Sequence, residues 1–216
     1  MSTDSVQTLG LRRGGAANNV LVPTYNNEKG EQLVAQGMPA YSEMARLGAG
    51  WQAIDTNALA AVAAVPTTTA GLTLWNGEPA GGKSYVIDRV GLISVVTTAA
   101  LSGFSIACCI HPVGMAKPTS DITPKSMSGK PSYGGAAVVD SGATVVSDGW
   151  FPIDKSFVTS GVGTTPIGGV SWDTQGRFLI PPSAGFSIKA FGNITGLTFY
   201  HVIAWWEVQV TANETV

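Results

Sequence analysis

Charge is what this chain of 216 residues has least of. Asp, Glu, Lys and Arg make up 12% of it, and 12 Lys+Arg against 14 Asp+Glu leave a formal net charge of −2. That is about half the charged share usual in a soluble domain. It excludes a nucleic-acid binder working through bulk positive charge, a coiled coil and a highly charged disordered chain. Cysteine is nearly absent too. Cys108 and Cys109 are adjacent, would point to opposite faces of a strand, and cannot staple distant segments. They read as reduced core thiols of a protein that folds in a cytoplasm. Met1-Ser-Thr-Asp-Ser-Val-Gln-Thr8 has no basic stretch leading into an apolar run, so no secretory signal peptide is expected. Without one, the acceptor patterns at Asn193 and Asn213 read as chance matches.

The means for chemistry are sparse as well. The only histidines are His111 and His201, and no His/Cys/carboxylate cluster stands at metal-ligand spacing. Each reads as a satisfied core or interface residue, so neither a metal nor a cofactor is expected. No G-x-S-x-G elbow offers a nucleophilic serine. Asp148, Asp154 and Asp173 lie near loop ends, but their spacing alone does not pair them for acid–base work. Gly77-Glu-Pro-Ala-Gly-Gly-Lys-Ser84 satisfies the phosphate-loop pattern. That loop needs a helix after it, whose N-terminus faces the phosphate. The residues that follow, Tyr85-Val-Ile-Asp-Arg-Val-Gly91, alternate as a strand does. A Gly/Pro hairpin loop with a solvated Lys83 is the expectation, and no catalytic residues are assigned.

Long uncharged runs are present. Residues 56–77 and 90–116 hold no Asp, Glu, Lys or Arg, and the second run is long enough to cross a bilayer. Turn-type residues 97–103 interrupt it, however, and the period on either side is two. Phe104, Ile106, Cys108 and Ile110 fall on one face, and Val86, Val90, Leu92 and Val96 on another. Two buried antiparallel strands are expected, not a membrane span.

With 27 glycines, 12 prolines and much Ser, Thr, Val and Ala, the chain reads as all-β, with much of its surface covered by something other than water. Its character changes near Thr67. Residues 1–66 read as an extended N-terminal arm with two short helices and no core of its own. The first is Pro39-Ala-Tyr-Ser-Glu-Met-Ala-Arg-Leu47, stopped by Gly48. The second is the Ala-rich run 55–65, with Asp55 as N-cap and Pro66 at its end. Residues 67–216 carry about eight strand-like runs, with a proline-bearing surface loop over 112–135, and suggest a two-sheet sandwich of jelly-roll type. In the last run Tyr200, Val202, Ala204, Trp206, Val208 and Val210 share one face; Leu197, Phe199, His201, Ile203 and Trp205 share the other. A strand apolar on both sides needs a second cover, and another subunit is expected to supply it. Of the six tryptophans some fill the core. Trp51 reads as an interface anchor, while Trp150 and Trp172 could stack sugars but fit core packing better.

Taken together, the low-charge arm, Pro66-Thr-Thr-Thr-Ala-Gly-Leu-Thr-Leu-Trp-Asn76, the Gly-rich turn, Gly176-Arg-Phe-Leu-Ile-Pro-Pro-Ser-Ala-Gly185 and the long apolar final strand resemble the jelly-roll virion proteins of tailed bacteriophages. In particular they resemble capsid decoration (cement) proteins. The resemblance covers roughly residues 66–210 and lies in strand layout and loop flavour. It implies a non-enzymatic homotrimer on the capsid surface, assembled in the host cytoplasm. There it would bridge major capsid subunits without contacting nucleic acid or membrane. Tyr25, Tyr41, Met44, Leu47 and Trp51 of the arm are the expected capsid contacts. Phe199, His201, Ile203 and Trp205 of the final strand are the expected oligomer contacts. A receptor- or glycan-binding fibre module, or a jelly-roll major capsid protein, are the alternative readings.

Overall fold

The computed structural model describes residues 42–55, 57–65, 68–96, 101–119, 122–159, 169–192 and 198–209. The chain divides into two units, residues 1–42 and 43–216, and the description that follows concerns the second. It is an all-β sandwich of two antiparallel sheets packed against each other. The larger sheet has the order β6 (Lys125–Ser126), β1 (Gly50–Ile54), β11 (Thr198–Gln209), β4 (Lys83–Val96), β9 (Gly169–Ile180), with β2 (Leu59–Ala60) also on β11. The other has the order β7 (Ala137–Ser141), β3 (Leu72–Asn76), β10 (Gly185–Gly192), β5 (Leu101–His111), β8 (Phe151–Thr159).

Period-two patterning explains the core. Leu72, Leu74, Ile106, Cys108, Phe186 and Ile188 of one sheet and Tyr85, Ile87, Val90, Leu92, Phe199, Ile203 and Trp205 of the other are all but inaccessible to solvent and form one cluster. Fully burying each large side chain stabilises the fold by about 1.5–3 kcal/mol. The inward residues of β4 change parity, from Tyr85 and Ile87 to Val90 and Leu92. An irregularity at Asp88 causes this, because β11 steps from Arg89 to Ile87 across it. The Thr174 hydroxyl donates to the carbonyls of Ile87 and Asp88, satisfying backbone that the bulge frees. Val86, expected on the face of Val90, therefore lies opposite Leu179 and Trp206 instead.

Several expectations change here. β4 and β5 are strands, but they lie in different sheets and do not pair with each other. The glycine-rich segment between β3 and β4 is thus a corner joining the two sheets, not a hairpin, and Lys83 is ion-paired with Glu207 at 3.0 Å. No helix among the described residues is long and apolar enough to cross a membrane. Of the two helices expected, the first is represented by the five-residue α1 (Ser42–Arg46), closed at Gly48 with φ +70°. The second is not a helix: Leu59 and Ala60 are strand, and Val62 bridges Phe191. Gly50–Ile54 and Leu59–Ala60, expected in the arm, are therefore strands of the larger sheet.

A buried polar tie holds this region in place. His201, on the inner side of β11, lies 2.6 Å through Nδ1 from the Asp55 carboxylate, and its backbone N–H donates to the same oxygen at 2.9 Å. The Ala190 N–H, beyond the end of β3, donates to Nε2 at 3.0 Å. Nε2 is therefore the acceptor, and the ring proton sits on Nδ1. Gly71 leaves the space for this ring, since a Cβ there would fall on His201 Nε2. Gly71→Ala should cost about 1–3 kcal/mol, because a ring held at both nitrogens cannot swing aside. Urea unfolding would measure it, and an unchanged midpoint would refute the ring's fixity.

Candidate functional site

Polar side chains gather on the outer side of the smaller sheet. Cys109 and His111 stand two apart on β5 and therefore point the same way. Ser187 of β10 lies opposite Cys109, and Thr73 of β3 opposite Ser187, so one row crosses three strands. This face is covered, not solvated. Ala70, Ala143 and Val145, with Met115 and Trp150 against them, form a second small apolar cluster over it. Thr73, Cys109, His111 and Ser187 are all buried as a result.

Within that shelter runs a chain of hydrogen bonds. Thr73 Oγ1 and Ser187 Oγ are 2.9 Å apart, Ser187 Oγ and His111 Nε2 2.8 Å, and His111 Nδ1 and Asp148 Oδ2 2.8 Å. Cys109 Sγ lies 3.8 Å from His111 Nδ1, and burial pushes its thiol up, opposed in part by a hydrogen bond from the Asp148 backbone. The Trp150 ring meets the imidazole edge-on at 6.5 Å. Asp148 is the one partner with access to water. It borders a groove of about 690 Å³ lined by Pro112, Gly114, Met115, Thr144 and Val146 among others.

Ser187, His111 and Asp148 follow the connectivity of a hydrolytic triad. Ser187 is fully buried and bonded on both sides, however, so no substrate carbonyl reaches its hydroxyl in this arrangement. The cluster does overturn one expectation. Cys109, His111 and Asp148 place one ligand atom each within 4.8 Å of one another, although the sequence showed no such group. The Cys109-x-His111 spacing was its visible half; Asp148 joins only because residues 142–150 fold back over the sheet.

The expected interface residues are redistributed. Tyr25 and Tyr41 lie outside the described residues. Met44 is half-buried and Leu47 is 61% exposed. Trp51, expected to face a capsid, is instead 4% exposed and meets the Tyr133 ring edge-on at 4.6 Å. Phe199, His201, Ile203 and Trp205 are 0% exposed, because their face of β11 is the sandwich interior. They are core residues and cannot also meet a neighbouring subunit. Trp172 packs on Phe178 beside the core, and Trp150 belongs to the second cluster.

Exposed apolar side chains lie on the opposite face. On the outer side of the larger sheet Val202 lies opposite Ile54, Tyr200 opposite Ile93, and Val86 opposite both Trp206 and Leu179. Ile54, Ile93 and Leu179 are each 45–48% exposed. A second groove, of about 650 Å³, runs along its edge between Ile54, Val202, Ile122 and Lys125. Arg89 and Asp173, also opposite one another, are charged residues on this side. No protein-family model matches the chain, and no curated protein matches it significantly.

Proposed function

We propose that this protein is a structural component of a virion, a jelly-roll capsid decoration protein that trimerises and bridges major capsid subunits on the outer surface of a bacteriophage shell. The observation that carries the reading is the apolar outer face of the larger sheet. Exposed Ile54 and Ile93, joined by Tyr200 and Val202, form one apolar patch, and Leu179 with Val86 forms another across the row of Gln52, Arg89 and Asp173; apolar patches of this kind mark interaction surfaces. These patches take the oligomer role first expected of Phe199, His201, Ile203 and Trp205.

Strand pairing supports the jelly-roll part of the reading. β3 pairs β10, β4 pairs β9 and β5 pairs β8. The pairs are nested in sequence and alternate between the two sheets, as when one long hairpin is rolled into a sandwich. The fourth pair would be β6 with β7, but β6 joins β1 and β7 joins β3. The low charge and the covered polar cluster fit a protein built for contact.

Sedimentation velocity on the full-length chain tests the proposal. A trimer is expected, and Leu179→Asp combined with Ile93→Asp should yield monomers whose melting temperature stays within a few degrees, since surface substitutions cost about 0.5 kcal/mol or less. A monomeric parent protein would overturn the oligomer. In purified particles, near-stoichiometric abundance with the shell protein is expected; a handful of copies would point to a tail or fibre part.

A further inference from the structure

We propose that Cys109, His111 and Asp148 form a Zn²⁺ site that pins the segment 142–150 to the outer side of the smaller sheet. Three donors of different chemistry, a thiol, an imidazole nitrogen and a carboxylate, converge with their ligand atoms inside 4.8 Å. Around a tetrahedral zinc with bonds of ~2.0–2.3 Å, neighbouring ligand atoms stand ~3.3–3.5 Å apart. Here Sγ–Nδ1 is 3.8 Å and Nδ1–Oδ2 is 2.8 Å. The ion therefore needs a small inward shift of sulfur and a small retreat of the Asp148 carboxylate. Asp148 sits on a loop and is partly exposed, so it can move; Cys109 and His111 are fixed on one strand.

The imidazole is prepared for this role. Ser187 Oγ lies 2.8 Å from Nε2 and is itself held by Thr73 Oγ1 at 2.9 Å. In the zinc-bound state Nε2–H would donate to Ser187, leaving the Nδ1 lone pair directed at the Cys109–Asp148 side. Partners of this outer kind fix the ring and tautomer of metal-binding histidines. On binding, zinc would replace the thiol proton, which leaves to solvent, while the imidazole proton facing Asp148 passes from Nδ1 to Nε2, where it is donated to Ser187. Asp148 borders the groove beside Thr144 and Met115, from which water can supply the fourth ligand. A thiolate with an imidazole selects zinc over calcium or magnesium, which take oxygen donors.

The test uses the reduced full-length chain with Co²⁺ as optical probe and Zn²⁺ in competition against a chromophoric chelator. One equivalent of Co²⁺ should bind and give a thiolate-to-cobalt charge-transfer band that Zn²⁺ abolishes. Cys109→Ser should lose the band, and Cys108→Ala, whose sulfur lies in the inner core, should keep it. Ser187→Ala should weaken Zn²⁺ binding by about 10–100-fold through loss of the ring's support. Zinc at a hundredfold excess over its Kd should raise the melting temperature by roughly 5–10 °C. If Cys109→Ser does not fold, Asp148→Asn carries the test, because its side chain is at the surface. Absence of stoichiometric binding at micromolar metal, or equal binding by Asp148→Asn and the parent, would show the cluster to be a hydrogen-bonded one only.

Discussion

Asp55→Ala should lower the unfolding free energy by about 3–5 kcal/mol, the range for removing one partner of a buried ionisable pair. Nothing about residue 55 viewed alone suggests so large an effect. Its carboxylate accepts from both the Nδ1–H and the backbone N–H of His201, and neither donor has water to turn to. The same imidazole accepts from Ala190 N–H, so a ring cut loose from Asp55 also loosens the end of β10. Asp55→Asn keeps a carbonyl acceptor and should recover part of the loss. Burial pushes the Asp55 carboxyl above 3.8 despite the pull of the imidazole. In the window above 3.8 the native state holds a proton that the unfolded chain has lost. This group's contribution to stability therefore falls as pH rises through that window, and Asp55→Asn should flatten the slope. Urea unfolding across pH would test both effects; a loss below about 1 kcal/mol for the alanine variant would show that the tie is dispensable.

Removing residues 1–66 should abolish cooperative folding, whereas removing residues 1–41 should preserve it. The longer deletion takes β1 away from β11, to which it pairs from Gly50↔Trp206 to Ile54↔Val202. It also removes Trp51 from the core, a loss of about 3–5 kcal/mol by itself, together with Asp55 and the β2 contacts. β6 would have no strand to pair with, and β11 would become an open, apolar edge of the kind that templates aggregation. The shorter deletion ends where the second unit begins. Near-UV circular dichroism and a melting curve decide the matter. A 67–216 fragment that melts like the full chain would return residues 50–66 to the arm.

Why the sequence misled at this point is physical. The run 55–65 is Ala-rich, and alanine is the best helix former. Propensity is a weak force beside an unpaired strand edge, and β11 offers one that Gly50–Ile54 and Leu59–Ala60 complete. From Leu72 onward, alternation was enough to identify β4, β5 and β11 as strands. β11 exposes a deeper ambiguity: when both faces of a strand are apolar, period alone cannot say which one is inside. Phe199, His201, Ile203 and Trp205 were as credible outside as Tyr200, Val202 and Trp206. Asp88 shows a second ambiguity, since one extra residue reverses parity and nothing in Ile87-Asp88-Arg89 announces it. Asp148 was illegible as a partner of His111 because its position depends on a loop's return path, which no local pattern encodes.

The nested pairing has a consequence for biosynthesis. β10 is the middle strand of one sheet and β11 the middle strand of the other, yet of the described strands they are the last two to leave the ribosome. Until both have emerged, β1, β3 and β4 each lack one of the two neighbours they pair with, and each of these pairings closes a long loop. Such topologies fold slowly and leave strand edges exposed while they wait. A translation product that stops short of β10 would be missing the centre of both sheets at once. Its fate would then rest with the chaperones and proteases of the cell that makes it.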